Sequence, residues 1–301
     1  MMDEKGYCFI VGSPRSGTTI LGEVLGANRN LAQFYEPYFI WEHHIGPLDD
    51  DLLDSEHATP QVKNYVRREF DRFLSKTSNN YLIEKSPENS FRIPFVNTIF
   101  PNSKWIHIVR NGYDSIASIN NEWLRRQQIV DQSSLSKLYQ TFQGVMVCHP
   151  YWRNRFQLIN YELRNQIVGF PRGIFNKAKW KGKVGWGPRF RDWEKTFNYC
   201  DNVIEFNAYQ WVKSIEAVRE GFSGLSAERT FEVKYEHFID DPCTVTREIC
   251  CFLDVPFDES MTQKVSASNV GVSYRGLSNL SKKHINPIIS NTMMGYGYKV
   301  E

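Results

Sequence analysis

The chain has 301 residues, 41% of them apolar and 23% charged, with a formal net charge of +2. That composition fits a folded protein with a sizeable core, either one large domain or two small ones, and excludes disordered and fibrous classes. The near-neutral charge nominates no nucleic-acid partner, no run reaches the ~18 apolar residues of a membrane span, and Met1–Lys5 does not resemble a secretory leader, so a cytoplasmic protein is expected.

The first predicted element is a strand over Tyr7–Val11, a short apolar run with β-branched and aromatic members. It leads into Gly12-Ser13-Pro14-Arg15-Ser16-Gly17-Thr18-Thr19 and then an apolar run of helical spacing, Ile20, Leu21, Val24 and Leu25. A strand, a tight glycine-bearing loop and a helix start turn several backbone N–H groups toward one point, which makes an anion site. The glycine spacing is that of a phosphate-binding loop, G-x-x-x-x-G. The lysine that reaches the outer phosphates of a nucleoside triphosphate is replaced by Thr18, and the cation sits inside the loop at Arg15. A nucleotide phosphate is the expected ligand, and ordinary ATP or GTP hydrolysis is disfavoured.

Leu31–His44 reads as a loop or short strand at the active edge, and 49–60 as a polar surface connection. Val62, Tyr65, Val66, Phe70, Phe73 and Leu74 predict an amphipathic helix over Gln61–Lys76. Tyr81–Glu84 is a short strand ended by Lys85-Ser86-Pro87, and Ser90–Phe100 reads as a helix closed by Pro101. Lys104–Val109 is the second clear buried strand. It is followed by Arg110-Asn111-Gly112 and a helix through Ile119, a unit whose basic residue should face the same crevice as the first loop. Residues 123–200 change character: between 151 and 200 stand eleven Lys or Arg against three acids, with Trp152, Trp180, Trp186 and Trp193. This segment is expected to be an inserted, loop-rich, substrate-facing stretch of one 1–301 domain; a solvated basic face over a local aromatic core is the bland alternative.

Val203–Phe222 predicts a helix, Thr230–Lys234 a strand, and Asp241–Leu253 a helix. Residues 270–301 are expected to act as a C-terminal lid. The six cysteines lack any C-x-x-C pair and are expected to be reduced thiols. Strands alternating with helices predict an α/β class, a three-layer, P-loop-NTPase-like fold with a central parallel sheet and helical, loop-rich insertions.

Three blocks resemble the sulfotransferases that use 3′-phosphoadenosine-5′-phosphosulfate (PAPS). Gly12–Thr19 is similar to the family's 5′-phosphosulfate loop. Ile108-Val109-Arg110-Asn111-Gly112-Tyr113-Asp114-Ser115-Ile116-Ala117-Ser118 resembles its 3′-phosphate block. Val233-Lys234-Tyr235-Glu236 with Asp241-Pro242 resembles its Y-E signature. Tyr35-Glu36-Pro37, with Glu36 twenty-one positions after Arg15, is similar to the carbohydrate and tyrosylprotein branches; the cytosolic aryl enzymes' K-T-H is absent, since Lys85 is followed by Ser86-Pro87.

The resemblance implies a catalytic set of Arg15, Glu36 and Lys85. It implies cosubstrate contacts from Pro14, Arg15, Ser16, Gly17, Thr18, Thr19, Arg110, Ser118, Tyr235 (by the adenine) and Lys282, with Arg275 as a further C-terminal candidate. Ser115 lies one turn from Ser118, so either could reach a 3′-phosphate. Sulfuryl transfer has a loose transition state, as phosphoryl transfer does, so these groups mainly position reactants and neutralise charge. Arg15 stays cationic at working pH and suits a leaving 5′-phosphate. Glu36 lies in an aromatic run and is the expected base; pairing to Arg15 or Lys85 is the structural alternative, and His43 and His44 compete for the role. The cosubstrate is PAPS, no metal is implied, and the acceptor is a hydroxyl, expected on a carbohydrate or glycoconjugate. The competing functions are a P-loop small-molecule kinase using ATP and a non-catalytic nucleotide- or glycan-binding module.

Overall fold

The computed structural model describes residues 5–45, 48–131, 186–263, 265 and 277–301. The chain divides into two compact units, Met1–Ile119 with Gly187–Glu301, and Asn120–Trp186. Of the second unit, Asn120–Asp131 and Trp186 are described, the former as the latter part of a helix. Trp152, Trp180 and Arg275 lie outside the described residues.

The first unit is built on one parallel sheet of five strands: β1 (Gly6–Val11), β2 (Leu31–Tyr35), β3 (Tyr81–Lys85), β4 (Lys104–Val109) and β5 (Thr230–Lys234), in the order β2-β3-β1-β4-β5. The helices are α1 (Thr18–Gly26), α2 (Tyr38–Trp41), α3 (Pro60–Leu74), α4 (Ile93–Ile99), α5 (Gly112–Asp131), α6 (Trp193–Tyr199), α7 (Val203–Ser223), α8 (Tyr235–Asp240), α9 (Pro242–Leu253) and α10 (Asn279–Gly295).

β1 is central, paired to β3 with Cys8 opposite Ile83 and to β4 with Ile10 opposite Ile106. Because side chains alternate along a strand, Cys8 and Ile10 enter a core with Ile83, Ile106, Leu21 and Leu25 of α1, and Ile249 and Leu253 of α9. Phe9 and Val11 enter the opposite core with Trp105, Phe70 of α3 and Phe95 of α4. Both faces are covered, which is why the inner strands are near-continuous apolar runs. The Phe9 ring lies 4.9 Å from that of Trp105 and 5.5 Å from that of Phe100. Truncating so buried a Phe costs about 3–5 kcal/mol, a large share of a domain's ~5–15 kcal/mol stability.

A third cluster lies past the carboxyl end of β4. There Val109, Tyr113 and Ile116 meet Trp211 and Ile215 of α7 and Ile285, Ile289 and Met293 of α10. Residues 279–295, expected within a lid, are thus a packed helix: Ile285, Ile289 and Met293 share one stripe (i, i+4, i+8) and bury it. Residues 187–200, expected within the insertion, belong to the first unit, where Phe190, Trp193 and Phe197 are buried. Trp193 Nε1 donates to the Asp49 carbonyl at 2.8 Å, and Arg189 Nη2 meets Asp51 Oδ1 at 2.9 Å.

The single helix expected over Ser90–Phe100 is two elements, a 3-10 turn Pro87–Phe91 and α4. They part at Arg92, whose buried side chain donates from Nε to the Asp51 carbonyl at 3.0 Å. Pro94 has no N–H to continue a helix and is best accommodated in a first turn, where it stands in α4. α3 follows its sequence signals: Thr59 Oγ1 accepts from Val62 N at 3.4 Å and Pro60 opens the helix.

Candidate active site

The carboxyl edge of the sheet carries a chemically distinctive residue at every strand. β1 runs into the Gly12–Gly17 loop, β2 is followed by Glu36, β3 ends on Lys85, β4 is followed by Arg110 and β5 by Tyr235. In open parallel sheets this edge is where ligands bind.

The loop after β1 is fixed at both ends. Gly12 N donates to Ser90 Oγ at 3.1 Å, and the Ser90 hydroxyl donates back to the Gly12 carbonyl at 3.1 Å. A Cβ at Gly12 would stand 2.5 Å from the Ile108 carbonyl oxygen, so a side chain there would force β1 and β4 apart. Gly17 has φ 103°, and a Cβ on it would meet the Tyr235 ring at 2.4 Å. Gly17 is also the N-cap of α1, with no side-chain cap and no acid in the first turn. The first amides of α1 therefore present an unneutralised positive end to an anion. Among the described residues, Ser16 Oγ and Ser115 Oγ are buried and have no hydrogen-bond partner. Hydroxyls left so are costly, and that of Ser16, inside the loop, fits a site that a phosphate completes. Pro14 and Thr18 are buried in this loop, and Thr19 is exposed.

Arg15, Ser118 and Arg110 are brought together. Arg15, at φ 63°, donates from Nε to Ser118 Oγ at 3.0 Å. Arg110 Nη1 donates to the Arg15 carbonyl at 3.3 Å, and its Nη2 lies 3.9 Å from Asp114 Oδ1. The Arg110 guanidinium stands 4.4 Å from the centre of the Tyr235 ring. Tyr235, expected beside an adenine, is 5% exposed and lies against Gly17 and Arg110. Lys282, on α10, is ion-paired with Glu301 Oε2 at 2.9 Å.

On the other side of β1, Lys85 is 2% exposed and donates to Glu36 Oε1 and, at 3.4 Å, to the Tyr35 hydroxyl. Burial works to strip its proton, but Glu36 and Tyr35 outweigh burial and the Lys85 pKa is raised. Glu36, at φ 42°, donates its amide to the Lys85 carbonyl at 3.2 Å. The Tyr38 amide donates to the Glu36 carbonyl at 2.9 Å, and the Tyr38 pKa is raised by burial, then by Glu88 and Glu36. His43 and His44 are exposed, with His43 stacked on Tyr65 at 3.9 Å between ring centres.

Beneath this pair lies a carboxylate that sequence reasoning passed over. Glu84, fully buried, accepts from Trp41 Nε1 at 3.3 Å, Asn89 Nδ2 at 2.8 Å and the Ser86 hydroxyl. Burial pushes its pKa up to about 7 against those hydrogen bonds. Glu88 is pushed up to about 8 by burial, then Asp51 and Glu36. Ser90, which pins the loop, was also missed; it sits in Lys85-Ser86-Pro87-Glu88-Asn89-Ser90, whose polar density directly after an apolar strand is the available signal. Among the described residues no group of three His, Cys, Asp or Glu is placed to hold a metal ion, and no helix is long and apolar enough to cross a membrane. Cys8, Cys200, Cys243, Cys250 and Cys251 are free thiols.

A sulfotransferase family model matches residues 8–166 and 189–259. The chain belongs to the sulfotransferase family. Among solved structures, the sulfotransferase domain of the Synechococcus PCC 7002 olefin synthase superposes with a TM-score of 0.54 at 17% identity, covering 99% of this chain and 98% of that domain. An uncharacterised protein of Aquifex aeolicus is 22% identical over 281 residues, 87% of this chain and 35% of that protein. The omega-hydroxy-beta-dihydromenaquinone-9 sulfotransferase Stf3 of Mycobacterium tuberculosis is 34% identical over 70 residues, 22% of this chain and 18% of that enzyme. The sulfotransferase chain thus aligns with about a third or less of the length of these curated relatives.

Proposed function

We propose that this sulfotransferase transfers the sulfuryl group of PAPS to an acceptor hydroxyl, most directly on a carbohydrate or glycoconjugate. The observation that carries the reading is the contact of Arg15 with Ser118 and Arg110 beside an uncapped α1 start. That arrangement suits two phosphates on one nucleotide, one on the loop amides and one on Arg110, a selectivity ATP does not satisfy. PAPS, when bound, supplies the activated sulfuryl group and a bisphosphate leaving group. Arg15 and the loop amides hold negative charge at the 5′-phosphate. Lys85 presents a protonated ammonium toward the same centre, and Glu36, held by Lys85, takes the acceptor's proton. The carbohydrate acceptor rests on the basic, Trp-bearing 151–200 segment, since flat rings stack on sugar faces and cations hold acid groups.

The test is transfer of labelled sulfate from PAPS across glycans, lipids, phenols and peptides. Glu36→Gln should lower turnover by about 10²–10⁴-fold and Arg15→Ala by about 10²–10³-fold, with unchanged far-UV circular dichroism. Wild-type turnover in Glu36→Gln would remove Glu36 as the base. Preferential thermal stabilisation by ATP over adenosine 3′,5′-bisphosphate would replace the reading with the kinase, and tight bisphosphate binding without turnover would leave a binding module.

A further inference from the structure

We infer that Glu236 and Tyr298 are positioning residues for Arg110, forming a bracket that sets the β4–α5 turn so that its guanidinium, rather than the turn's backbone, receives a phosphate. The inference rests on the proposed two-phosphate nucleotide and adds to it a role for residues that touch no ligand.

The three amides after Arg110 are all taken by protein acceptors. Asn111 N donates to Glu236 Oε1 at 2.9 Å, Gly112 N to Met293 Sδ at 3.2 Å, and Tyr113 N to Asn111 Oδ1 at 2.9 Å. The start of a helix ordinarily offers such groups to an anion; at α5 they are spent. The second Glu236 oxygen, Oε2, accepts from the Tyr298 hydroxyl at 2.7 Å, which fixes the carboxylate so that Oε1 faces Asn111. Tyr298 is delivered by the turn that ends α10: its amide donates to the Met293 carbonyl at 2.9 Å, and Gly297 before it has φ 70°. Burial, then Glu236, raises the Tyr298 pKa, so the hydroxyl remains a donor. Tyr235, the residue before Glu236, packs its ring under the Arg110 guanidinium at 4.4 Å. One short segment after β5 thus grips the turn by its backbone and the arginine by its side chain.

No strained geometry is required of the bracket, and no space within it admits a side chain at Gly112. A Cβ there would stand 3.0 Å from Met293 Sδ and 3.1 Å from Trp211 Cη2. Small shifts of α10 are therefore passed to Gly112, two residues from Arg110, a coupling that dense packing enforces.

The test compares binding of adenosine 3′,5′-bisphosphate and adenosine 5′-monophosphate by calorimetry to the full chain and to Glu236→Gln and Tyr298→Phe, with Arg110→Ala as the reference for a lost 3′-phosphate contact. Glu236→Gln should weaken the bisphosphate roughly tenfold and Tyr298→Phe about threefold, the scale of a charge-assisted and an ordinary hydrogen bond. Neither variant should change the monophosphate affinity. A parallel loss of both nucleotides would reduce the pair to a structural role and overturn the inference, as would an unchanged bisphosphate preference in both variants. No bisphosphate preference in the wild type would overturn the two-phosphate reading itself, a result distinct from either of those.

Discussion

Two helices start on neighbouring strands of this sheet, and they treat their first amides in opposite ways. α1, after β1, has a glycine N-cap, no acid in its first turn and no side chain on its leading N–H groups. At α5, after β4, Glu236, Asn111 and Met293 take the corresponding groups. A helix start offers an anion several convergent backbone N–H groups, while an arginine fork fixes distance and direction through one side chain. The pair suits the proposed two-phosphate nucleotide, with one phosphate on backbone amides and the other on Arg110.

The comparison breaks most severely at Gly17. Gly17→Ala places a methyl group 2.4 Å from the Tyr235 ring at φ 103°. Both the α1 start and the ring beneath Arg110 must shift, so affinity for mono- and bisphosphate should fall together by about 10²-fold or more, as loss of a preorganised anion site does. Titration calorimetry would show a selective loss of only one if the two sites were independent.

A smaller effect sharpens the contrast with the β2–β3 side, where charges pair with one another. The Glu84 pKa is raised to about 7 by burial, above its unfolded value of about 4.3. The unfolded chain ionises first as pH rises, so this group's protonated form favours folding below about pH 4 and that advantage is lost between about pH 4 and 7. Glu84→Gln keeps an oxygen for Asn89 and does not titrate. It should remove a stability loss on the order of 1–3 kcal/mol between pH 5 and 8, read as a gap from wild type that widens with pH in denaturant titrations. A constant gap across that range would show that Glu84 stays ionised in the fold.

The smallest effect has two signs. Ser16→Ala removes a buried hydroxyl with no partner and should stabilise the ligand-free protein by up to about 1 kcal/mol. It should also weaken bisphosphate binding about three- to tenfold, the worth of one hydrogen bond. Thermal melts with and without nucleotide would cross; a loss of stability in both states would mean the hydroxyl is satisfied without ligand.

The inner strands were legible because a sheet buried on both faces writes its strands as apolar runs, and the loop after β1 because two glycines and an arginine mark a tight anion turn. Arg110 and Ser118 were legible as an eight-residue interval, and the structure joins Ser118 to Arg15. Glu236 and Ser90 could be read as residues but not as partners, since each acts across more than seventy positions, on Asn111 and Gly12. Tyr235 was placed by resemblance alone, and its packing under Arg110 could not be read from the sequence. The helix at 279–295 was hidden by Pro287 and its polar opening, although Ile285, Ile289 and Met293 carried its period.

The sheet order also sets tempo. β1 has a strand on each side, so its amides can exchange with solvent only when β3 or β4 is torn away, an opening close in cost to global unfolding. Among the described strands, β2 and β5 are edges with one neighbour each, and an edge can fray without disturbing the centre. The phosphate loop hangs from the slow centre, and Glu36 hangs from a fast margin. Amides of β2 should therefore exchange faster than those of β1, which carries the Gly12–Gly17 loop.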